Sequence, residues 1–119
     1  PRHIEWEYAA RGGNGLEGYQ FQYAGSDNLD EVAVWNTDVV AEIKTKKPNG
    51  LRIYDLNGNV DEWTFDRYKG KENVLYAGGY YFYKQPDAFL LSKSYASCMA
   101  ISLTARNSQI GLRVVCTAD

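Results

Sequence analysis

The sequence predicts an α+β fold in which one amino-terminal helix is followed by short antiparallel strands and many loops. Residues 1–11 have a helical pattern, with Pro1 at a first helical position and Ile4 and Tyr8 at i, i+4 spacing. From residue 32 onward, short apolar or alternating runs are separated by turn-forming Gly, Asn and Pro. Because 119 residues suit one domain, we expect residues 1–119 to form a single unit.

The boundaries of these elements follow from turn-forming residues. Gly12 and Gly13 end the helix, and the Gly-, Ser-, Asp- and Asn-rich residues 14–31 predict a loop. Gly78 and Gly79 interrupt a strand and predict a bulge or a close backbone approach. A short apolar run lies at 32–35, turns are predicted at 45–50, 55–59 and 106–109, and strands at 51–54, 62–65, 73–83, 99–104 and 110–116.

Composition excludes two classes of protein. With 13 Lys and Arg against 15 Asp and Glu, the net charge of -2 is not that of a nucleic-acid-binding protein. No apolar run is long enough for a membrane-spanning helix. Ten tyrosines and three tryptophans indicate a strand-rich fold, an adhesive surface, or both. Since the first residue is Pro1 rather than Met, we expect an amino terminus that was cut or processed.

Thiols and imidazoles are few. Cys98 and Cys116 could form a disulfide in an oxidising compartment or remain thiols in a reducing one. His3, the only histidine, starts the helix, where a solvent-facing or packing role is expected.

Arg113 in the last strand is expected to pair with a buried carboxylate whose identity the sequence leaves open. The tryptophans are expected to anchor the core: Trp6, Trp35 and Trp63.

Three segments carry a family resemblance. Residues 1–13 read PRHIEWEYAARGG, residues 48–63 read PNGLRIYDLNGNVDEW, and residues 77–82 and 110–115 read AGGYYF and IGLRVV. In this order they resemble the formylglycine-generating-enzyme (sulfatase-modifying-factor) family, whose corresponding motifs are EWEYAARGG, PNxxGLYDMxGNVxEW, RGGSW and GFRxV. The resemblance implies a C-type-lectin-like α+β fold, an extracytoplasmic location, and further chain before the helix, so that these residues would be the carboxy-terminal half or a minimal member.

An oxygen-rich loop is the candidate metal site. Its side chains with oxygen ligands are Asp55, Asn57, Asn59, Asp61 and Glu62, and Gly58 lies among them. Calcium takes several carboxylate and carbonyl oxygens, but the same residues also suit a polar turn that caps its own backbone. The resemblance implies a calcium ion held by the side chains of Asp55 and Glu62 and by the carbonyls of Gly58 and Val60. A second calcium site is not expected.

The resemblance also argues against catalysis. Oxidases of this family hold copper with two cysteines spaced C-x4-C, because soft thiolates suit Cu(I). Cys98 matches the first cysteine, but Leu103 stands at the second position, so copper binding is not expected. The related iron-dependent sulfoxide synthases need several histidines, and His3 is alone. No G-x-S-x-G elbow, P-loop or G-x-G-x-x-G motif is present.

Aromatic residues in the last third are the candidate ligand-binding residues. They are Tyr80, Tyr81, Tyr83 and Tyr95, and such residues give large contact area at low entropic cost. If residues 80–83 are a strand, either Tyr80 and Phe82 or Tyr81 and Tyr83 face inward. A lectin-like domain without its catalytic residues would bind a protein or carbohydrate ligand. The alternatives are a degenerate or partial oxidase, a structural subunit of a cell-surface assembly, or a retroelement-diversified variable protein of the same fold.

Overall fold

The computed structural model describes residues 1–13, 20–67, 73–84, 99–102 and 104–116. Two helices and six strands are defined in this part of the chain, and most of them are short. In chain order they are α1 (His3–Ala10), α2 (Leu29–Val32), β1 (Ala33–Val34), β2 (Asn57–Gly58), β3 (Asp61–Arg67), β4 (Asn73–Ala77), β5 (Met99–Ser102) and β6 (Ile110–Gly111).

The strands form two sheets. The larger has the order β5-β4-β3-β6, and the smaller pairs β1 with β2. The β3–β4 and β4–β5 pairs are antiparallel, as predicted, whereas β3–β6 and β1–β2 are parallel. A helix at the amino terminus with short, loop-separated strands confirms the predicted α+β class. In the described ranges no helix has the length and apolar character required to cross a bilayer.

Helix α1 does not bury the face that carries Ile4 and Tyr8. Its buried side chains are His3, Trp6, Glu7 and Ala10, which follow helical spacing. Ile4 and Tyr8, which share a face through their i, i+4 spacing, are 64% and 54% exposed. Two polar residues are buried on the core-facing side. Glu7 is compensated by its ion pair with Arg11. The backbone amide of His3 donates to the Asp66 carboxylate.

Two small hydrophobic clusters lie in the core of the described residues. The first contains Trp6, Ala10, Ala24, Leu56 and Ala77. The second contains Tyr23, Leu29, Val32 and Ala33, with Trp35 and Tyr83 packed against it. Trp6 is the fully buried anchor that was predicted, whereas Trp35 and Trp63 are only half-buried.

Several predicted strand boundaries are wrong. Residues 51–54 are not a strand, because the Asn49 side-chain oxygen accepts from the amides of Leu51 and Ile53 and closes a turn instead. The predicted turn at 55–59 contains β2, and the predicted loop at 14–31 contains α2 among its described residues. The last strand ends at Gly111 rather than at residue 116.

Candidate functional site

The oxygen-rich loop of residues 54–62, called here the anchor loop, begins after a turn and runs into β3. Three of its residues have left-handed backbone: Asp55, Gly58 and Asn59, with φ of 57°, 71° and 63°. The Gly58 amide donates to the Gly78 carbonyl at 2.7 Å, and the Asn59 amide donates to the Val34 carbonyl at 2.8 Å. These bonds join the loop to β1 and to the end of β4.

Glu62 is the buried carboxylate at the end of the anchor loop. The Trp6 indole Nε1 donates to its Oε2 at 2.7 Å. Arg113 forms a bidentate pair with the same group: its Nε donates to Oε2 at 2.8 Å and its Nη2 to Oε1 at 2.5 Å. Glu62 is therefore the partner that the sequence analysis expected for Arg113 but did not name.

The Arg113 guanidinium also contacts the loop backbone. Its Nη2 donates to the carbonyl oxygens of Tyr54 at 2.9 Å and Asp55 at 3.4 Å. Burial alone would lower the pKa of Arg113, but the hydrogen bonds and charge of Glu62, with the charge of Asp55, raise this pKa overall. The loop therefore surrounds a positive charge that the chain itself supplies.

The predicted calcium ligands, Asp55, Gly58, Val60 and Glu62, all lie in the anchor loop. Both oxygens of Glu62 are already bonded to Arg113, and the Asp55 Oδ2 accepts from the Lys44 amide at 2.8 Å. A calcium ion here would lie close to a guanidinium and compete with it for oxygens. Two of the four predicted ligands, Asp55 and Glu62, therefore already have partners from the chain itself. The calcium site stays a prediction.

A cavity of about 400 Å³ lies beside the anchor loop. This volume is within the usual range for small-molecule sites. Its apolar wall includes Ile43, Ile53 and Leu112, and its charged residues are Lys44, Arg52, Asp55, Glu62 and Arg113. The Lys44 ammonium lies 5.7 Å from the centre of the Tyr54 ring.

Residues 80–84 and 36–40, called here the tyrosine face, form a second candidate site. After β4 the chain leaves the sheet at Gly78 and turns at residues 81–82. The Tyr81 amide donates to the Asn59 carbonyl at 3.0 Å, and the carbonyls of Tyr81 and Tyr83 accept from Thr37 and Asn36, both at 2.9 Å. The backbone of this aromatic segment is thereby held by two other parts of the chain.

The side chains of the tyrosine face do not alternate as a strand would. Phe82 is exposed, and the three tyrosines at 80, 81 and 83 are each half-buried. The two predicted in-out patterns are both wrong, because a turn replaces the strand. The Tyr80 ring lies 5.8 Å from Tyr81 and 4.5 Å from Tyr83, and Tyr83 packs on the second core cluster. The predicted ligand residue Tyr95 lies outside the described residues.

A charged pair borders the aromatic rings. The Lys84 ammonium lies 4.5 Å from the centre of the Phe82 ring and 2.7 Å from an Asp38 carboxylate oxygen. Val39 and Val40, which follow Asp38, are exposed. The tyrosine face thus presents apolar surface beside one positive and one negative group.

Asn59 connects the anchor loop to the tyrosine face. Its side-chain oxygen accepts from the Ala41 amide at 3.0 Å, and its side-chain nitrogen donates to the Ala41 carbonyl at 3.3 Å. Its backbone pairs with Val34 on one side and Tyr81 on the other. A single buried asparagine therefore fixes three segments that are distant in sequence.

Asp61 is a buried carboxylic acid next to this junction. Burial raises its pKa from 3.8 to about 7; a hydrogen bond from the Gly79 amide opposes this effect, and the charge of Glu62 adds to it. Because the folded protein keeps a proton that the unfolded chain releases, the contribution of Asp61 to stability is full below pH 3.8. That contribution is lost as the pH rises to about 7.

Asp61→Asn is therefore expected to stabilise the protein more at alkaline than at acid pH. The neutral amide has no ionised form, so the gain in free energy of unfolding should be roughly 2–4 kcal/mol near pH 8 and small near pH 4. Urea unfolding at both pH values measures it, with the exposed Glu42→Gln as the control. An equal effect of Asp61→Asn at both pH values would contradict the assignment.

Comparison with family models identifies the protein family of this chain. The model described as the sulfatase-modifying factor enzyme 1-like domain matches residues 1–118. The chain belongs to this family. Chaperone protein LppX of Paenibacillus barcinonensis is 36% identical, over 56% of this chain and 30% of that protein. The formylglycine-generating enzyme of Streptomyces coelicolor is 34% identical, over 56% of this chain and 25% of that protein. This chain thus covers less than a third of either curated relative.

Solved structures confirm the fold of this sulfatase-modifying-factor chain. The crystal structure of CarF aligns with a TM-score of 0.74 and 33% identity, over 94% of this chain and 44% of that one. Treponema denticola variable protein 1 aligns with a TM-score of 0.74 and 25% identity, over 94% and 45%. PvdO from Pseudomonas aeruginosa, at 19% identity and a TM-score of 0.71, supports the fold alone.

The residues expected to decide catalysis are only partly described. Cys98 and Leu103 lie outside the described residues. Cys116 is an exposed free cysteine. His3 is fully buried, which confirms the packing alternative for it, and burial lowers its pKa while the charges of Glu7 and Asp66 oppose that effect. In the described part of the chain, no three His, Cys, Asp or Glu residues group as a metal site.

Proposed function

We propose that this chain is a non-catalytic binding module of the sulfatase-modifying-factor family, and that the tyrosine face holds its protein or carbohydrate ligand. The observation that carries the proposal is the exposed Phe82 on a segment whose backbone is bonded to Asn36, Thr37 and Asn59. A fixed backbone lowers the entropy that ordering this segment would cost on binding. Aromatic rings on such a support are typical of binding loops.

The non-catalytic part of the proposal rests on the sequence. Leu103 stands where the oxidases of this family place their second cysteine. A hydrocarbon side chain provides neither a thiolate for copper nor an electron pair for any metal. Cys98 alone therefore lacks the soft partner that the oxidase chemistry requires.

The chemistry of the tyrosine face indicates the kind of ligand. The Phe82 ring and the half-buried Tyr81 offer apolar contact area, while Lys84 and Asp38 supply one donor and one acceptor beside it. Protein interfaces combine an aromatic centre with a polar rim in this way. We expect that removing the exposed Phe82 ring and the half-buried Tyr81 ring will weaken binding strongly, since these rings supply the aromatic contact area of the tyrosine face.

The test is ligand capture by matched variants. Wild type and the Tyr81→Ala/Phe82→Ala double variant are compared on a glycan array and in cross-linking pull-downs, with Phe65→Ala as the control. Phe65 is 83% exposed on β3 and outside the tyrosine face. At least about a tenfold loss of binding in the double variant and none in Phe65→Ala is expected. Equal retention of the ligand by both variants would contradict the proposal, as would copper-dependent oxidation of a cysteine peptide.

A second candidate is a diversified variable protein, which the similarity to Treponema denticola variable protein 1 favours. In that case the ligand would differ among copies of the gene, because the exposed residues of the tyrosine face would be the varied ones. Sequencing the gene in many descendants of a single cell is the test. Differences confined to codons for residues between 80 and 110 would support diversification, and identical copies would contradict it.

A further inference from the structure

The anchor loop contains its own cation. Four oxygen atoms of the loop accept hydrogen bonds from one guanidinium: two on Glu62 and the carbonyls of Tyr54 and Asp55. Convergent carboxylate and carbonyl oxygens are the environment that a hard cation prefers. Here they are directed at Arg113, which lies 51 residues after Glu62 in the sequence. Glu62 is shared with the predicted calcium ligands, whereas the two carbonyls are those of Tyr54 and Asp55 instead of Gly58 and Val60.

We propose that Arg113 replaces a metal ion in the anchor loop, so that the loop is closed without calcium. Guanidinium is always protonated at physiological pH, and its planar fork matches a carboxylate with two parallel hydrogen bonds. Glu62 is consequently neutralised and accepts three hydrogen bonds when its contact from Trp6 is included. This arrangement leaves no carboxylate oxygen of Glu62 without a partner.

A built-in cation changes how the loop responds to its surroundings. A bound ion stabilises a protein by an amount that rises with the logarithm of its free concentration above the Kd, because only the folded state binds it. Arg113 is covalently part of the chain, so its contribution does not vary with calcium. A divalent ion entering the loop would also meet the repulsion of the guanidinium and would have to displace it from Glu62.

The replacement affects the tyrosine face through the backbone of the loop. Glu62 anchors the end of the loop, and within it Gly58 and Asn59 bind Gly78 and Tyr81 through their backbone groups. Arg113 therefore acts on the aromatic segment as a positioning residue rather than as a ligand contact. This last consequence rests on the proposed function, whereas the calcium-independence of the loop does not.

The test is the melting temperature of the whole chain in chelator and in about 5 mM calcium chloride. Wild type is expected to melt at the same temperature in both, to within about 1 °C, and Arg113→Met to melt several degrees lower in chelator. Arg113→Lys keeps the charge but loses the planar fork, so its melting temperature should lie between those of wild type and Arg113→Met. It should still fold if Arg113→Met does not. Arg52→Met, at an exposed arginine on the wall of the same cavity, is the control and should match wild type.

Two results would overturn the proposal. One is a calcium-dependent rise of several degrees in wild type, which would restore the calcium ion predicted from the sequence. The other is an Arg113→Met protein as stable in chelator as Arg52→Met. Because both readouts are thermal stability, failure of ligand binding by the tyrosine face would leave them unchanged, and the two proposals fail separately.

Discussion

Replacing Gly58 by alanine is expected to cost more than about 4 kcal/mol and to leave little folded protein. A Cβ atom at this position would lie 2.2 Å from the Val34 carbonyl oxygen, a backbone atom that belongs to the β1–β2 pair. The φ of 71° adds the strain of a left-handed alanine. No side chain can rotate away to relieve the contact, so the loop and β1 would have to separate.

The matched control is Gly50→Ala. At that glycine a Cβ would meet nothing within 4 Å, and its φ is not left-handed. Its effect on the free energy of unfolding should stay within about 0.5 kcal/mol. Urea denaturation of both variants makes the comparison. If Gly58→Ala unfolded at the same urea concentration as Gly50→Ala, the result would contradict the close packing of Gly58 against the β1 backbone.

Glu62→Gln should produce the second large effect, a loss of about 2–4 kcal/mol in the free energy of unfolding. Glutamine keeps the shape and one acceptor for the Trp6 indole, but it removes the charge that Arg113 faces. The guanidinium would then be partly buried with only the charge of Asp55 left to balance it. Its side chain is 27% exposed, so water screens part of the penalty, and the estimate is lower than for a fully buried pair.

The control is Glu42→Gln, at an exposed position. It removes one negative charge from the protein, as Glu62→Gln does, but it leaves the Glu62–Arg113 ion pair intact. That variant should unfold at the same denaturant concentration as wild type. The Glu62→Gln deficit should be the same in chelator and in calcium if Arg113 is the resident cation. A Glu62→Gln protein no less stable than Glu42→Gln would show that the pair contributes nothing to folding.

Local signals predicted the presence of α1 but not the side that it buries. Pro1 and the Gly12–Gly13 pair delimit a helix whatever packs against it. Ile4 and Tyr8 are the more apolar candidates for a core face, yet His3 and Glu7 are buried instead. The burial of Glu7 depends on Arg11, which supplies a charged partner, and a helical period alone carries no information about such partners.

The tyrosine segment also shows that a local sequence pattern does not identify distant partners, here for a predicted strand. Alternation along residues 73–83 assumes that the ladder continues past Gly78, and up to Ala77 it does. Beyond that point the backbone groups of Tyr81 and Tyr83 bond to Asn59, Thr37 and Asn36 rather than to a neighbouring strand. The glycine pair was a correct sign of a break, but the new partners come from other parts of the chain.

Sequence by itself determined the family, the α+β class and the amino-terminal helix, because short motifs and turn residues act through neighbouring atoms. It also identified the anchor loop as a place where oxygen atoms crowd together. Only the tertiary structure decided which cation meets those oxygens, since Arg113 and Glu62 are brought together by the pairing of β6 with β3. Charge complementarity between distant residues depends on distance in space, and a linear pattern does not encode that distance.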